Sequence, residues 1–264
     1  DVCSSDLANL VHQSVATGDT EWAGRAYQRV KDATNMTDRF GALAALVAAQ
    51  AELAAPALER FHALFKDDAL VIDKWFSLQA RAPEVDGKVF ARARGLLQHP
   101  DFTLKNPNRA RSLLASLLLF NPAAFHRADA AGYVLWAEQV LAIDAINPQL
   151  ASRISRALDR WSLLAEPYRS AAREAVARVA AQRGADVTLI AGNTAALADP
   201  AGVEVVHIGS AGQLADAVSK HAPVADVLVM AAAVADFRPA HVATTKMKKG
   251  ADSEPSTIDL LRND

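Results

Sequence analysis

The chain has 264 residues, of which 51% are hydrophobic and 22% are charged. Its 28 Lys and Arg residues against 30 Asp and Glu residues give a formal net charge of −2, so no global basic field points to nucleic acid or a membrane surface as a partner. A chain of this length and apolar content has enough residues to bury a large core, in one large domain or two ordinary ones.

The cysteine content, the length of the apolar runs and the N-terminal segment indicate where the protein is located and how it is processed. The single cysteine, Cys3, excludes a disulfide framework and is typical of a reducing compartment, so the expected location is cytoplasmic. No apolar run approaches the roughly 20 residues that span a bilayer. The opening segment DVCSSDL lacks the basic and then apolar order of a signal peptide. One back-translation of it resembles a short-read library adapter, which predicts an artefactual or disordered tail over residues 1–7.

Residues 8–180 have the apolar periodicity of α-helices. Apolar side chains recur at intervals of three and four residues, for example in DRFGALAALVAAQAELA and RARSLLASLLLF. The candidate helix starts are Thr37, Asp67, Asp68 and Asn106, and the candidate breaks are Pro100 and Asn121-Pro122. Segments of about 10 to 18 residues joined by short turns predict an all-α, superhelical domain of antiparallel helix pairs, either solenoid-like or an irregular bundle.

The pattern changes at Gly184. Short β-branched runs follow, VTLI, VEVVHI and VLVMAAAV, with one amphipathic helix predicted near residues 211–220. Near-continuous apolar strands are typical of a parallel sheet covered on both faces. About 80 residues follow Gly184, fewer than a doubly wound sheet normally uses. Residues 181–264 are therefore predicted to form a truncated Rossmann-like fragment, and the fold class is all-α followed by α/β.

The helical half contains no recognisable catalytic constellation. It has no His-Glu-x-x-His pair, which would place two imidazoles on one helix face for zinc, and no cysteine cluster. Its histidines, His12, His62, His99 and His126, stand at unrelated spacings, and the simplest interpretation makes each of them structural. The residues alone therefore predict no metal site and no catalytic residue in this half.

A series of uncommon polar phrases distinguishes the helical half. In chain order they are NMTDRF, DKWFSLQA, HPDFTLKNPNRARSL, NPAAFHRADAAGY and AINPQLASR, from residue 35 to residue 153. In this order and spacing they closely resemble the C-terminal helical domain of bacterial aminopeptidase N, a zinc enzyme of the M1 metallopeptidase family. The resemblance implies a non-catalytic domain that caps the active-site chamber and lines its inner wall. In that family the zinc motif and a Gly-x-Met-Glu-Asn motif lie in an earlier domain, and this sequence has neither.

The same resemblance assigns two arginines to the substrate channel. By the family's pattern, Arg111 and Arg153 face the chamber, where a guanidinium would pair with the carboxylates and carbonyls of a peptide. The alternative is that both side chains only complement the dipoles of their helices. Because the zinc motif is absent from the sequence, no water is activated and hydrolysis by this chain is not expected.

The most informative segment of the second half is MAAAVADFRPAHVATTKMKKG, residues 230–250. A predicted strand ends there at Asp236, and open α/β sheets bind ligands at the carboxyl ends of their strands. Lys246, Lys248 and Lys249 follow and carry the charge to neutralise a phosphate. A solvated charged face is the simpler alternative for these lysines.

Four blocks of the second half, RGADVTLIAG, AAAVADFRP, KMKK and IDLLRND, closely resemble phosphopantothenoylcysteine synthetase, the ligase half of the coenzyme A biosynthesis flavoproteins. In that family CTP, with magnesium, activates the phosphopantothenate carboxylate as an acyl-cytidylate, and the amine of cysteine displaces CMP. The resemblance implies that Asp236 hydrogen-bonds the cytidine and that Lys246 contacts the triphosphate. It further implies that Asn263 and Asp264 open the next nucleotide-contacting loop.

Both resemblances cover only part of their families' sites. Aminopeptidase-like helix stands where the ligase family has its Gly-rich nucleotide loop, and stabilising an acyl-cytidylate needs groups from every segment. We therefore expect no ligase activity, weak or no CTP binding, and no bound cofactor. The junction, residues 174–187, has no Gly, Ser or Pro linker, which favours a composite of two incomplete coding fragments. The alternative is a genuine fusion of a peptide-binding or partner-binding helical half with a nucleotide-binding α/β half.

Overall fold

The structure, a computed structural model, describes residues 4–192, 199–200, 202–230, 234–241 and 259–262. The chain divides into two compact units, Asp1–Gln182 and Arg183–Asp264. Several residues named above lie outside the described ranges, namely Cys3, Lys246, Lys248, Lys249, Asn263 and Asp264. The roles assigned to these residues stay predictions.

The described part of the first unit is helical throughout. Its α-helices are α1 Ser4–Thr17, α2 Glu21–Asp32, α3 Met36–Ala48, α4 Ala54–Phe65, α5 Ala69–Ala80, α6 Lys88–Leu96, α7 Pro107–Leu118, α8 Pro122–Phe125, α9 Ala131–Asp144, α10 Pro148–Ser155 and α11 Tyr168–Gln182. Two 3-10 turns, Arg156–Leu158 and Trp161–Leu163, join α10 to α11. Helices that are close in sequence pack together, as α1 does on α2 and α3, and α9 on α10 and α11. The predicted all-α class of this half is confirmed.

Helix starts in this unit follow from local capping chemistry. Asp68 and Asn106, both predicted starts, accept hydrogen bonds from backbone N–H groups in the first turns of α5 and α7. The prediction at Thr37 was two residues late, because the side chain of Asn35 caps α3, which begins at Met36. An asparagine amide is at least as good a cap as a threonine hydroxyl, and here it stands two residues earlier.

One hydrophobic core runs through the helical unit, from Leu7 to Val179. Its largest fully buried side chains include Phe61, Phe76, Phe125 and Tyr133. Aromatic rings of this size dominate the apolar area that folding removes from water. None of the helices in the described ranges is long and apolar enough to cross a membrane.

The first strand of the second unit follows Gly184, whose φ of +89° is in the left-handed region where glycine is favoured. Strand β1, Val187–Gly192, pairs in parallel with β2, Val203–Ile208, as the runs VTLI and VEVVHI predict. Helix α12, Ala211–His221, confirms the predicted amphipathic helix. The α/β class of this half is therefore confirmed.

The prediction of a third strand in the run VLVMAAAV is wrong for the residues of this run that the structure describes. Residues 227–230 of the run VLVMAAAV have no regular secondary structure, and their side chains are exposed, Val227 by 79%. A strand is stabilised by pairing with a neighbour, so apolar composition alone does not determine it. Among the described residues the next strand is instead β3, Phe237–Pro239, which pairs antiparallel with β4, Leu260–Arg262.

Candidate functional site

The two predicted channel arginines lie on helices that pack against each other. Arg111 is exposed in α7 and donates to the side chain of Asn108, one turn earlier. Arg153 is exposed in the last turn of α10, and α10 packs against α7. Both guanidinium groups are therefore accessible to a ligand. The helix-dipole alternative fits Arg153, which lies at a helix C-terminus, better than Arg111, which lies inside α7.

Arg109 lies in the same phrase as Arg111, HPDFTLKNPNRARSL, and is buried. The sequence interpretation did not single it out. Its residue is 7% exposed, and its Nε donates to Asp73 Oδ1 of α5 at 2.5 Å. The two terminal nitrogens donate to the backbone carbonyls of Asp101 and Ala69, and the guanidinium lies 5.1 Å from the ring centroid of Phe76. Arg109 therefore holds α7, α5 and the turn between α6 and α7 together.

The turn between α6 and α7 also places His99 and Asp101 beside His62 of α4. Within the described ranges, the group His62, His99 and Asp101 has ligand atoms close enough to share a metal ion, all within 4.8 Å of one another. His62 Nε2 is 2.6 Å from Asp101 Oδ2, and His99 Nδ1 is 3.8 Å from the same oxygen. The spacing of the histidines in the sequence had suggested no relation between them.

The surroundings of this cluster are aromatic. The ring of Trp75 lies 4.9 Å from that of His62 and 5.3 Å from that of His99, centroid to centroid. Burial lowers the pKa of His99 below its ordinary value; the charge of Asp101 opposes this shift, and the charges of His62 and Arg109 add to it. His99 is therefore neutral at physiological pH and retains a lone pair for a hydrogen bond or a metal.

Another histidine, His126, follows α8 and contacts the start of α9. His126 Nδ1 is 2.9 Å from the hydroxyl of Tyr133, and the ring of Phe125 packs on both. Burial lowers the pKa of His126 and raises that of Tyr133 to about 12. Both groups are neutral at physiological pH, which is typical of a hydrogen-bonded core pair.

An open groove of about 630 Å³ lies between α6 and α9. Its lining combines the apolar side chains of Phe90 and Leu135 with the polar groups of Arg94, Gln98 and Glu138. The groove thus combines an apolar wall with hydrogen-bonding groups of both charges.

In the α/β unit, the structure describes one of the predicted CTP-contacting residues. Asp236 is exposed and directly precedes β3, a short antiparallel strand. The prediction that it ends a buried parallel strand was wrong, because the preceding described residues, 234 and 235, are not in a strand. Its carboxylate is accessible, so its role toward cytidine stays a prediction.

Comparisons with known proteins divide the chain in the same way. A family model described as "Domain of unknown function (DUF3458_C) ARM repeats" matches residues 4–190, and one described as "DNA/pantothenate metabolism flavoprotein C-terminal domain" matches residues 172–264. Aminopeptidase N of Escherichia coli is 39% identical over 161 residues, which cover 61% of this chain and 18% of that protein. The coenzyme A biosynthesis bifunctional protein CoaBC of Mycolicibacterium smegmatis is 84% identical over 90 residues, which cover 34% of this chain and 22% of that protein.

A solved structure agrees with the helical half. Legionella pneumophila aminopeptidase A, in complex with aspartic acid, superposes with a TM-score of 0.56 and 30% sequence identity. The match covers 60% of this chain and 19% of that one. The chain thus spans about a fifth of the length of each of these relatives. Both resemblances drawn from the sequence are confirmed.

Proposed function

Because the chain belongs, over residues 4–190, to the DUF3458_C family of ARM-repeat domains, we propose that its helical unit lines the peptide chamber of a zinc aminopeptidase without itself catalysing hydrolysis. The chain joins this aminopeptidase N type of C-terminal domain to a segment of the flavoprotein C-terminal domain. The observation that carries the proposal is the family match across the whole helical unit. The sequence lacks the family's zinc motif, so no hydrolytic step is assigned to its residues.

In this proposal Arg111 and Arg153 are the groups that contact peptide. Both are exposed, and they lie on helices that pack together. A guanidinium donates paired N–H groups to a carboxylate or to carbonyl oxygens. At an exposed position such a contact contributes about 1 kcal/mol, which corresponds to roughly a fivefold change in affinity.

A hybrid enzyme tests these two contacts. Residues 8–180 replace the matching segment of Escherichia coli aminopeptidase N, and tripeptide hydrolysis is measured with Arg111→Gln and Arg153→Gln. We expect each change to raise KM several-fold and to leave kcat unchanged, since a contact made equally in the ground and transition states affects only binding. Arg156→Gln is the matched control, because that arginine is also exposed and its ion pair with Asp159 is local. Kinetics equal to the control in both variants would show that these arginines do not contact the peptide.

For the α/β unit, Asp236 and Lys246 are proposed to contact the cytidine and the triphosphate of CTP, with Asn263 and Asp264 at the adjoining loop. The support is the family match over residues 172–264 and the accessible carboxylate of Asp236. Four such side chains do not replace the Gly-rich loop that the ligase family uses, so binding is weak and the unit does not ligate.

Calorimetric titration of the full chain with CTP and magnesium tests this second part. We expect no saturable heat below about 1 mM CTP. Any weaker binding seen above that concentration should disappear in Asp236→Asn, which keeps the side-chain shape and removes the charge. Micromolar binding would contradict an incomplete site and would favour a fusion protein whose second half binds nucleotide.

A further inference from the structure

The cluster of His62, His99 and Asp101 has no part in the function proposed above. His62 comes from α4, whereas His99 and Asp101 lie in the turn between α6 and α7. The side chains are partly accessible, at 24% for His62, 26% for His99 and 37% for Asp101. An ion from solvent can therefore reach all three.

We propose that His62, His99 and Asp101 bind one divalent transition-metal ion of the zinc class. The ligand atoms are His62 Nε2, His99 Nδ1 and a carboxylate oxygen of Asp101, and water completes the coordination. Two imidazoles and a carboxylate suit zinc, cobalt and nickel, whereas calcium and magnesium prefer oxygen ligands alone.

The spacing of the ligand atoms fits such an ion. Metal–ligand bonds of about 2.0–2.2 Å place neighbouring ligand atoms about 3.4 Å apart in a tetrahedral site. The distances from Asp101 Oδ2 to His62 Nε2 and to His99 Nδ1 are 2.6 Å and 3.8 Å, one below and one above that value. The two histidine nitrogens lie within 4.8 Å of each other, so side-chain shifts of up to about 1.5 Å bring all three ligand atoms to that spacing.

The protonation of the two histidines differs. His99 Nδ1 accepts the backbone N–H of Asp101 at 3.1 Å, so this nitrogen carries a lone pair, as a metal ligand must. His62 Nε2 faces a carboxylate, which only accepts, so this nitrogen carries a proton. On metal binding that proton leaves Nε2, so that the lone pair of this nitrogen can bind the ion. The ion must displace both hydrogen bonds, which limits its affinity.

Neighbouring groups hold the ligands in place and balance the charge. Trp75 packs on both imidazole rings, and its Nε1 donates to the carbonyl of Leu58 at 3.0 Å, which fixes its own orientation. Arg109 donates to the backbone carbonyl of Asp101, and its positive charge is offset by the ion pair with Asp73. Residues that orient metal ligands typically strengthen metal binding about 10- to 100-fold.

The test is calorimetric titration of the full chain with Zn²⁺, on a Cys3→Ser background that removes the thiol as a competing ligand. We expect one ion per chain. Asp101→Asn and His99→Gln should each weaken binding at least about tenfold. The Asp101→Asn variant keeps a side-chain oxygen that accepts from His62, so we expect the fold of this variant to be preserved. Circular dichroism checks this. His126→Gln is the matched control and should bind as the parent does.

A spectroscopic readout locates the ion independently of affinity. Bound Cu²⁺ quenches a nearby indole, so saturating Cu²⁺ should quench the fluorescence of Trp75, and Trp75→Phe should remove the quenched fraction. Absence of stoichiometric Zn²⁺ binding would overturn the proposal. Binding that survives both ligand variants with unchanged affinity, or Cu²⁺ quenching that persists in Trp75→Phe, would also overturn it.

Discussion

Replacement of Arg109 by methionine removes the guanidinium that links α7 to α5 and to the turn before α7. The methionine stem fills much of the same apolar space beside Phe76. What is lost is one ion pair, to Asp73, and donors to two backbone carbonyls. The carboxylate of Asp73, only 14% exposed, is left without its cationic partner.

The expected cost follows from that burial. Removing one partner of a buried ion pair costs about 3–5 kcal/mol, because the remaining charge stays desolvated. Domains of ordinary stability unfold with a free energy of about 5–15 kcal/mol, so the loss is a large fraction of the total. With a urea dependence of about 1–3 kcal/mol per molar, the unfolding midpoint should fall by more than about 1 M.

Urea unfolding of the full chain, followed by far-UV circular dichroism, measures this effect, because most of the helical signal comes from the first unit. Arg111→Met, on the same helix but exposed, should change the free energy of unfolding by less than about 0.5 kcal/mol. Adding Asp73→Leu to Arg109→Met removes the unpaired carboxylate and should restore more than half of the loss. Equal urea midpoints for Arg109→Met and Arg111→Met would show that the buried ion pair of Arg109 does not stabilise the helical unit.

Two further predictions concern the segment around α9. Gly132→Ala should destabilise the helical unit by about 3 kcal/mol or more, because the added Cβ would lie 1.9 Å from the backbone oxygen of Phe125; a melting temperature equal to that of the parent would contradict this. Since burial lowers the pKa of His126, the unfolded chain binds a proton between that lowered pKa and 6.5 that the folded chain does not. The free energy of unfolding should therefore fall as the pH falls through this window, and that of the His126→Asn variant should fall less. Parallel pH profiles for the two proteins would show that His126 is not the cause.

Local chemistry explains which features were predictable from the sequence. Asp68 and Asn106 cap helices through backbone groups two or three residues away, so short phrases suffice to place these helix starts. The apolar runs of β1 and β2 also identified those strands. The run at residues 227–230 is also apolar, yet it forms no strand, because strand formation depends on a pairing partner that composition does not reveal.

The buried polar contacts required the structure. Arg109 and Arg111 stand two residues apart, and helical geometry turns one inward and the other to solvent. The partner of Arg109, Asp73, is 36 residues away, and His62 is 39 residues from Asp101. No spacing rule connects side chains at such separations, although the phrase HPDF already places His99 and Asp101 close together.

The central proposal is that the helical unit works as the chamber domain of an aminopeptidase. The most direct measurement is the kcat/KM for a tripeptide of the hybrid enzyme that carries residues 8–180, compared with Escherichia coli aminopeptidase N and with the same enzyme lacking this domain. We predict a value within about tenfold of the intact enzyme. A hybrid that is folded and zinc-loaded, yet no more active than the enzyme lacking the domain, would contradict the account.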